Sequence, residues 1–422
     1  MGFFRTVMSG IVVVCVSSAL AIALSGTSWA ESTDWSRLSL EQAISRAIER
    51  NPAVVESRLE WRRMQGAADG VAGVLVENPV VSVEGGVRRD QGWVGNRPSV
   101  TGRIDQPVDV FGQAGSRRRA ASDLVVAASA RLALVRSEIG ARVRLLYLAA
   151  QVAKARIVLC QDRLSTARQT SEALQMRVRL GASSDIDLHM AMAETARAEA
   201  ALQEAQSAAL AALLLMREGL DLPAQAKIDP SDALVPPAAL TEGMADPRSV
   251  LVHHTAMQVV EKQRFAIDSE IVRLERERLP RISVGIAAER PSEQERFVGL
   301  ALSVSPALWR RNQGPLAEAR VERERLDFER ATTLSSLERR WTALRDEQTV
   351  RLQELSAMDR ALENEEQTRA LVRVGWQSGK FDFLRMLLAE RSVADTKQAR
   401  LDLSAVLGSN AIELRRLTGQ EP

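Results

Sequence analysis

The sequence predicts a mainly α chain with a small transmembrane β part: four strands and long coiled-coil helices per protomer. Three observations carry this. From Ser116 to about Val178 there is no Pro and a single Gly, Gly140. In the C-terminal half, Val298, Leu300, Leu302 and Val304 alternate with Gly299, Ala301, Ser303 and Ser305. Landmarks in the first half recur in the second at a nearly constant offset of 198 to 201 residues, counted from Gly181 to Gly379 and from Pro79 to Pro280.

Composition sets the bounds. The chain has 422 residues, 45% of them apolar and 26% charged, a balance of ordered proteins. Its net charge of +2 implies no pull toward nucleic acid. Aromatics make up only 4%, thin for a large globular core and better suited to Ala/Leu helices. Residues 1–30 read as an export signal: Arg5, an apolar run from Ile11 to Leu24, then Ser28-Trp29-Ala30 as a small-residue cleavage site. A transmembrane anchor is the alternative, but the run is short of the roughly 20 residues a spanning helix needs. Cys15 follows Val14, where a lipid-modification site wants a small residue, so no lipid anchor is expected. After cleavage Cys160 alone remains, which excludes an internal disulfide and leaves a buried small hydrophobe.

The offset divides the chain into two units, 31–245 and 246–422, joined by a connector rich in Pro between Leu222 and Pro247. Each unit opens on a helical stretch: Leu40 to about Val76, and Ser249 to Leu279. Two strands follow in each, at about 80–88 and 99–107, then at about 281–289 and 296–305. Period-two alternation gives one apolar and one polar face, and nine or ten residues cross a bilayer when tilted. A hairpin packed on a soluble core explains the alternation equally well. Helical hairpins come next, at about 116–220 and 315–417. Sixty residues make a rod of about 90 Å. Leu132, Val135, Ile139, Val143 and Leu146 form the first seam, and Leu334, Leu337, Trp341, Leu344, Leu352, Leu355 and Leu362 the second. Gly181 and Gly379 are placed to end the rods, with Ser183 or Ser184, and Asp382, to cap the return helices.

Four strands cannot close a useful barrel, and open edges are forbidden in lipid. Three copies give a closed 12-stranded β-barrel and bring the rods into a ring, so a homotrimer is expected.

The order of these motifs resembles the TolC family of outer-membrane efflux proteins over nearly all of residues 38–420. Leu38-Ser39-Leu40-Glu41-Gln42-Ala43 with Asn51-Pro52 is similar to the family's start, and Gly379-Lys380-Phe381-Asp382-Phe383-Leu384 with Ala389-Glu390-Arg391 to its second helix-turn signature. Trp309-Arg310-Arg311-Asn312-Gln313-Gly314 resembles a segment of the CzcC-like branch, which serves heavy-metal pumps of the RND type. The resemblance implies a trimer with an outer-membrane β-barrel and a periplasmic α-barrel, a passive exit duct with a periplasmic adaptor (a membrane fusion protein), an inner-membrane RND-type transporter and outer-membrane lipid as partners. It implies no enzyme activity and no cofactor. A periplasmic coiled-coil adaptor or scaffold without a barrel is the alternative, although that class is expected to end in a β-rich half and this chain ends in helix.

In the family, tip residues narrow the closed entrance. Trp376, three residues before Gly379, matches an aromatic there; the family's Asp six residues after that Gly falls on Arg385, and its Asp nine after falls on Leu388. The first hairpin keeps Asp187 at the six-after position. Gate candidates are therefore Gly181, Asp185, Asp187, Trp376, Gly379, Asp382 and Arg385, with Asp187, Arg385 and Asp382 in contacts that must open. The plainer reading is that these charges are solvated and hold only local caps. His253 and His254, read as neighbours on a helix, diverge too far to share a metal ion. No phosphate loop or nucleophile motif is present.

Overall fold

The computed structural model describes residues 37–73, 77–88, 97–223, 225–232, 251–290, 296–309 and 311–419. The export signal, most of the connector and both strand-joining loops lie outside them.

The chain opens with α1 (Leu40–Arg50) and α2 (Pro52–Gly70). The expected single helix to Val76 is thus broken in two and ends at Gly70. Asn51 causes the break: its side chain accepts the Ala53 N–H as N-cap and Pro52 takes the first helical turn, where a missing N–H costs nothing. Ser39 and Gln42 close a reciprocal capping box on α1. Then come β1 (Val80–Arg88), β2 (Arg97–Val108), the rod α3 (Gln113–Arg179) and its return helix α4 (Asp185–Gly219). After the connector follow α5 (Thr255–Arg276), β3 (Arg281–Arg290), β4 (Phe297–Ser305), the rod α6 (Gln313–Gln377) and its return helix α7 (Phe383–Thr418). The rods have 67 and 65 residues, hence lengths near 100 Å.

The rods start three and two residues earlier than expected, by one device. Gly112 (φ +79°) and Asn312 (φ +54°) adopt left-handed geometry. The next residue, Gln113 or Gln313, turns its side-chain oxygen back to accept the N–H of Phe111 or Arg311, each at 2.9 Å. Gln113 and Gln313 are therefore the equivalent positions, one residue away from the register that counting from Pro to Gly suggests. His253 and His254 do not lie on a helix. His254 is the N-cap of α5, its Nδ1 accepting the Ala256 N–H at 3.1 Å.

The strands form one antiparallel sheet in the order β1-β2-β3-β4, so the two hairpins join through β2 and β3 and leave β1 and β4 as free edges. Below the sheet, α3 is the spine, packing on α2, α4, α5 and α7. A buried cluster of Leu38, Ala43, Ala47, Val143, Tyr147, Ala150, Met216 and Leu220 ties α1 to the first helical hairpin. Tyr147 fixes it further by donating to the Leu38 carbonyl at 2.9 Å.

Candidate functional site: an apolar sheet face and the tips of the helical hairpins

Register places one set of side chains on each face of the sheet. Val81 pairs with Ile104, Ile104 with Ile286, and Ile286 with Leu300. The neighbouring rows add Val83, Val87, Val100, Val284, Ala288, Val298, Leu302 and Val304. These aliphatic side chains run unbroken across all four strands, and almost all are exposed; Leu300 is 88% exposed. The opposite face carries Ser82, Glu84, Thr101, Arg103, Asp105, Ser283, Glu289 and Ser303, with an Arg103–Asp105 ion pair at 2.6 Å. A soluble sheet would bury its apolar face on a core; this one faces outward with no described element over it. That disposition suits hydrocarbon on one side and water on the other. Strands of nine to twelve residues reach about 30–40 Å, enough to cross a bilayer at the tilt of a barrel. No described helix is long and apolar enough to cross a membrane.

At the far end, the two helical hairpins meet around Leu174, Ala191, Val372, Trp376, Phe383, Met386 and Leu387. Gly181 (φ +69°) and Gly379 (φ +74°) turn the rods in the left-handed region that glycine enters without steric cost. Ser184 caps α4 in a reciprocal box with Asp187, and Asp382 caps α7 by accepting the Arg385 N–H at 3.2 Å. Asp185 is the exposed first residue of α4. Thus the carboxylates of Asp187 and Asp382 serve local caps within the protomer, and the Arg385 guanidinium lies 4.9 Å over the Phe381 ring. Among the described residues, neither Asp187 nor Arg385 has an ion-pair partner. Trp376 is buried between the hairpins. Arg177 stacks 4.8 Å over its ring and donates to its carbonyl at 3.1 Å.

The polar ties between the hairpins come from residues that sequence reasoning passed over. Glu194 on α4 is almost fully buried. It accepts Arg163 of α3 at 2.8 Å and the Arg391 Nε of α7 at 2.9 Å. Arg163 also reaches Asp395 at 3.6 Å, and Arg156 pairs with Asp402. Arg156, Arg163 and Arg177 are spaced by sevens or their multiple on α3, and Asp402 and Asp395 by seven on the antiparallel α7. That spacing puts each set on one helix stripe and is the signal that could have found the ladder. Burial pushes the Glu194 carboxyl up, but the hydrogen bonds from Arg163 and Arg391 outweigh it and hold it below the usual carboxylate range. Beside it lies a cavity of about 330 Å³ between the hairpins, lined in part by Cys160, Thr166, Thr170 and Val393. Burial raises the Cys160 thiol, which leaves it an inert apolar neighbour. Glycine matters once more at the tip: a Cβ on Gly375 would stand 2.2 Å from the Phe381 ring, so only Gly lets that ring fold back under Arg385.

Comparisons agree with this geometry. The family model described as outer membrane efflux protein matches residues 43–218, from α1 to the end of α4. Over 332 residues the chain is 27% identical to the cobalt-zinc-cadmium resistance protein CzcC of Cupriavidus metallidurans, covering 76% of this chain and 77% of that protein. Among solved structures, CusC superposes with a TM-score of 0.73 at 17% identity, covering 90% of this chain and 91% of the other. VceC of Vibrio cholerae superposes with 0.72 at 15% identity, covering 90% and 96%. The open state of the MtrE outer membrane channel of Neisseria gonorrhoeae superposes with 0.72 at 17%, covering 90% and 88%. With an outward apolar sheet at one end and paired helical hairpins at the other, the chain has the fold of these outer-membrane channels, and its first half matches the outer membrane efflux protein family.

Proposed function

We propose that three copies of this chain form the passive exit duct of a tripartite pump. The free β1 edge of one copy pairs with the free β4 edge of the next. Because neighbouring strands alternate in direction throughout the sheet, this junction is antiparallel as well and closes a 12-stranded barrel. The polar face then lines the lumen, and the helical hairpins continue it into the periplasm. Residues 31–245 and 246–422 are read as two copies of one strand-pair-and-rod unit, each supplying one strand pair and one helical hairpin per protomer. Export by a cleaved signal at residues 1–30, without a lipid anchor, completes the reading.

A periplasmic adaptor is proposed to meet the tips and to join the duct to an inner-membrane RND-type transporter, which supplies the energy. Gating is assigned to the tips, where Gly181, Asp185, Asp187, Gly379, Asp382 and Arg385 are exposed or partly so and Trp376 packs beneath them. Likeness to a cobalt-zinc-cadmium resistance protein supports divalent heavy-metal cations as the cargo.

The observation that carries this is the unbroken aliphatic face on a sheet with two unpaired edges. Fractionation with native mass spectrometry tests it. The expected result is a detergent-extracted trimer in the outer membrane, with loss of cobalt, zinc or cadmium tolerance on deletion. Recovery as a soluble monomer would defeat the channel; normal metal tolerance with an intact trimer would defeat the cargo assignment alone.

A further inference from the structure

We propose that a collar of arginines just below the sheet binds the anionic phospholipid headgroups of the periplasm-facing leaflet. The proposal rests on the membrane reading above. At the junction between strands and helices, most of the acids are already used; Glu318, near the start of α6, is exposed with no cationic partner among the described residues. Asp109 pairs with Arg117, and Glu77 lies 3.9 Å from Arg117 and 3.7 Å from Arg281. Glu275 pairs with Arg320 at 3.5 Å and Glu277 with Arg273 at 2.6 Å. A surplus remains: Arg118 and Arg119 near the start of α3, Arg276 and Arg278 at the end of α5, and Arg311 just before α6 are exposed, with no carboxylate partner among the described residues. All lie within six residues of a strand or rod terminus, which places them in the junction between the apolar band and the rods.

Above the collar, the last exposed apolar groups of the band are Val110, Phe111, Leu308 and Trp309, the Trp 85% exposed. An aromatic at the water-facing border of a hydrocarbon band, followed at once by guanidinium groups without carboxylate partners, is the order in which a bilayer presents its interface and its phosphates. Guanidinium groups suit phosphodiester oxygens through paired N–H donors. In a trimer the collar repeats around the barrel and would fix its depth in the membrane where no lipid anchor is expected.

The test uses the full chain in neutral detergent. Retained lipid is counted by native mass spectrometry, and the thermal midpoint is followed on adding phosphatidylglycerol, phosphatidylcholine or inorganic phosphate. Wild type should retain phosphatidylglycerol and gain midpoint with it alone. Replacing four of the five together, as R118Q/R119Q/R276Q/R278Q, should weaken apparent affinity by about tenfold or more. The charge-preserving R118K/R119K/R276K/R278K variant should keep most of the response and shows that folding is intact. Equal gain from phosphatidylcholine, or undiminished binding by the glutamine variant, overturns the collar. So does a gain reproduced by inorganic phosphate, which would mark a free-anion site. A shift in the ion selectivity of reconstituted channels with unchanged lipid preference also overturns it, by placing the cations in the lumen. Failure of wild type to insert into any vesicle, by contrast, would sink the membrane reading itself.

Discussion

Leu300 offers a test in which the two readings of the sheet differ in sign. It lies at the centre of β4, is 88% exposed, and shares its row with Ile286, Ile104 and Val81. On a water-facing sheet, Leu300→Arg is neutral or slightly stabilising, since it removes an exposed aliphatic group. On a lipid face near the bilayer midplane, each Arg costs about 2–4 kcal/mol. Three copies in one barrel multiply that to about 6–12 kcal/mol, comparable with the whole stability of a typical domain. Ser303→Arg, three residues along the same strand but on the opposite face, is the matched control: on the lumen side it should cost little. The assay is urea unfolding of protein reconstituted in vesicles, read by the shift of heat-modifiable mobility on a gel, together with the yield in the outer-membrane fraction. Leu300→Arg should lose most of the inserted trimer while Ser303→Arg keeps it. Equal tolerance of the two substitutions would refute the assignment of the faces.

Two further outcomes follow from the helical region. Glu194→Gln leaves Arg163 and Arg391 facing each other with no carboxylate between them, and breaking such a largely buried pair costs about 3 kcal/mol; the expected result is a lower thermal midpoint and faster trypsin cleavage of α7, whereas wild-type behaviour would show that the ladder does not tie the hairpins. Because the folded carboxyl is depressed, this contribution is present above the unfolded value of about 4.3 and is lost as pH falls below it. His254 behaves differently: burial first, and the nearby Arg416 second, lower it to about 4. The unfolded chain therefore takes up the proton first as pH falls below about 6.5, and stability should drop by about 3 kcal/mol by pH 4. His254→Asn keeps a cap on α5 and should flatten that part of the stability–pH curve between 6.5 and 4; an unchanged curve would place the acid sensitivity elsewhere.

How much was legible depended on whether a signal was local. The alternation from Val298 to Val304 was plain because no other constraint interrupts it. Its counterparts in β1 and β2 were blurred by Gly85, Gly86 and Gly102, yet register places Val83 and Val100 on the same face as Leu300. The turn glycines were readable from their chemistry, and φ of +69° and +74° is what a rod end needs. The break at Asn51-Pro52 was also readable, since an Asn cap before a Pro at the first helical position is a local start signal; it was passed over because the apolar spacing on either side continues. Trp376 and the arginine ladder were not readable in that way. Where Trp376 points depends on how α3 meets α6 and α7, and the pairing of Arg163 with Glu194 and Asp395 depends on the register of three helices at once. No window of sequence contains that register, although the spacing by seven on α3 and α7 records it.

The proposed trimer also explains why the ties between hairpins lie where they do. Twelve strands about 4.8 Å apart, tilted near 40°, close at a backbone diameter of about 24 Å. Twelve helices packed at about 9–10 Å would form a ring about 37 Å across if they ran straight. An eight-stranded dimer would have its interior filled by side chains. The barrel of the trimer is thus fixed by its hydrogen bonds at a width that leaves a lumen, and it cannot shut without breaking the ladder of the sheet. The helical ring is wider and is held by side chains alone, so it can taper. In the proposed duct, closure is therefore assigned to how the second helical hairpin leans on the first below the middle of the rods. The observed seams are of that kind: the Glu194 pairs with Arg163 and Arg391, the Arg156–Asp402 pair, and Arg177 stacked on Trp376. These contacts stand between α4, α3, α6 and α7, and any widening of the tip that swings one hairpin past the other has to part them first.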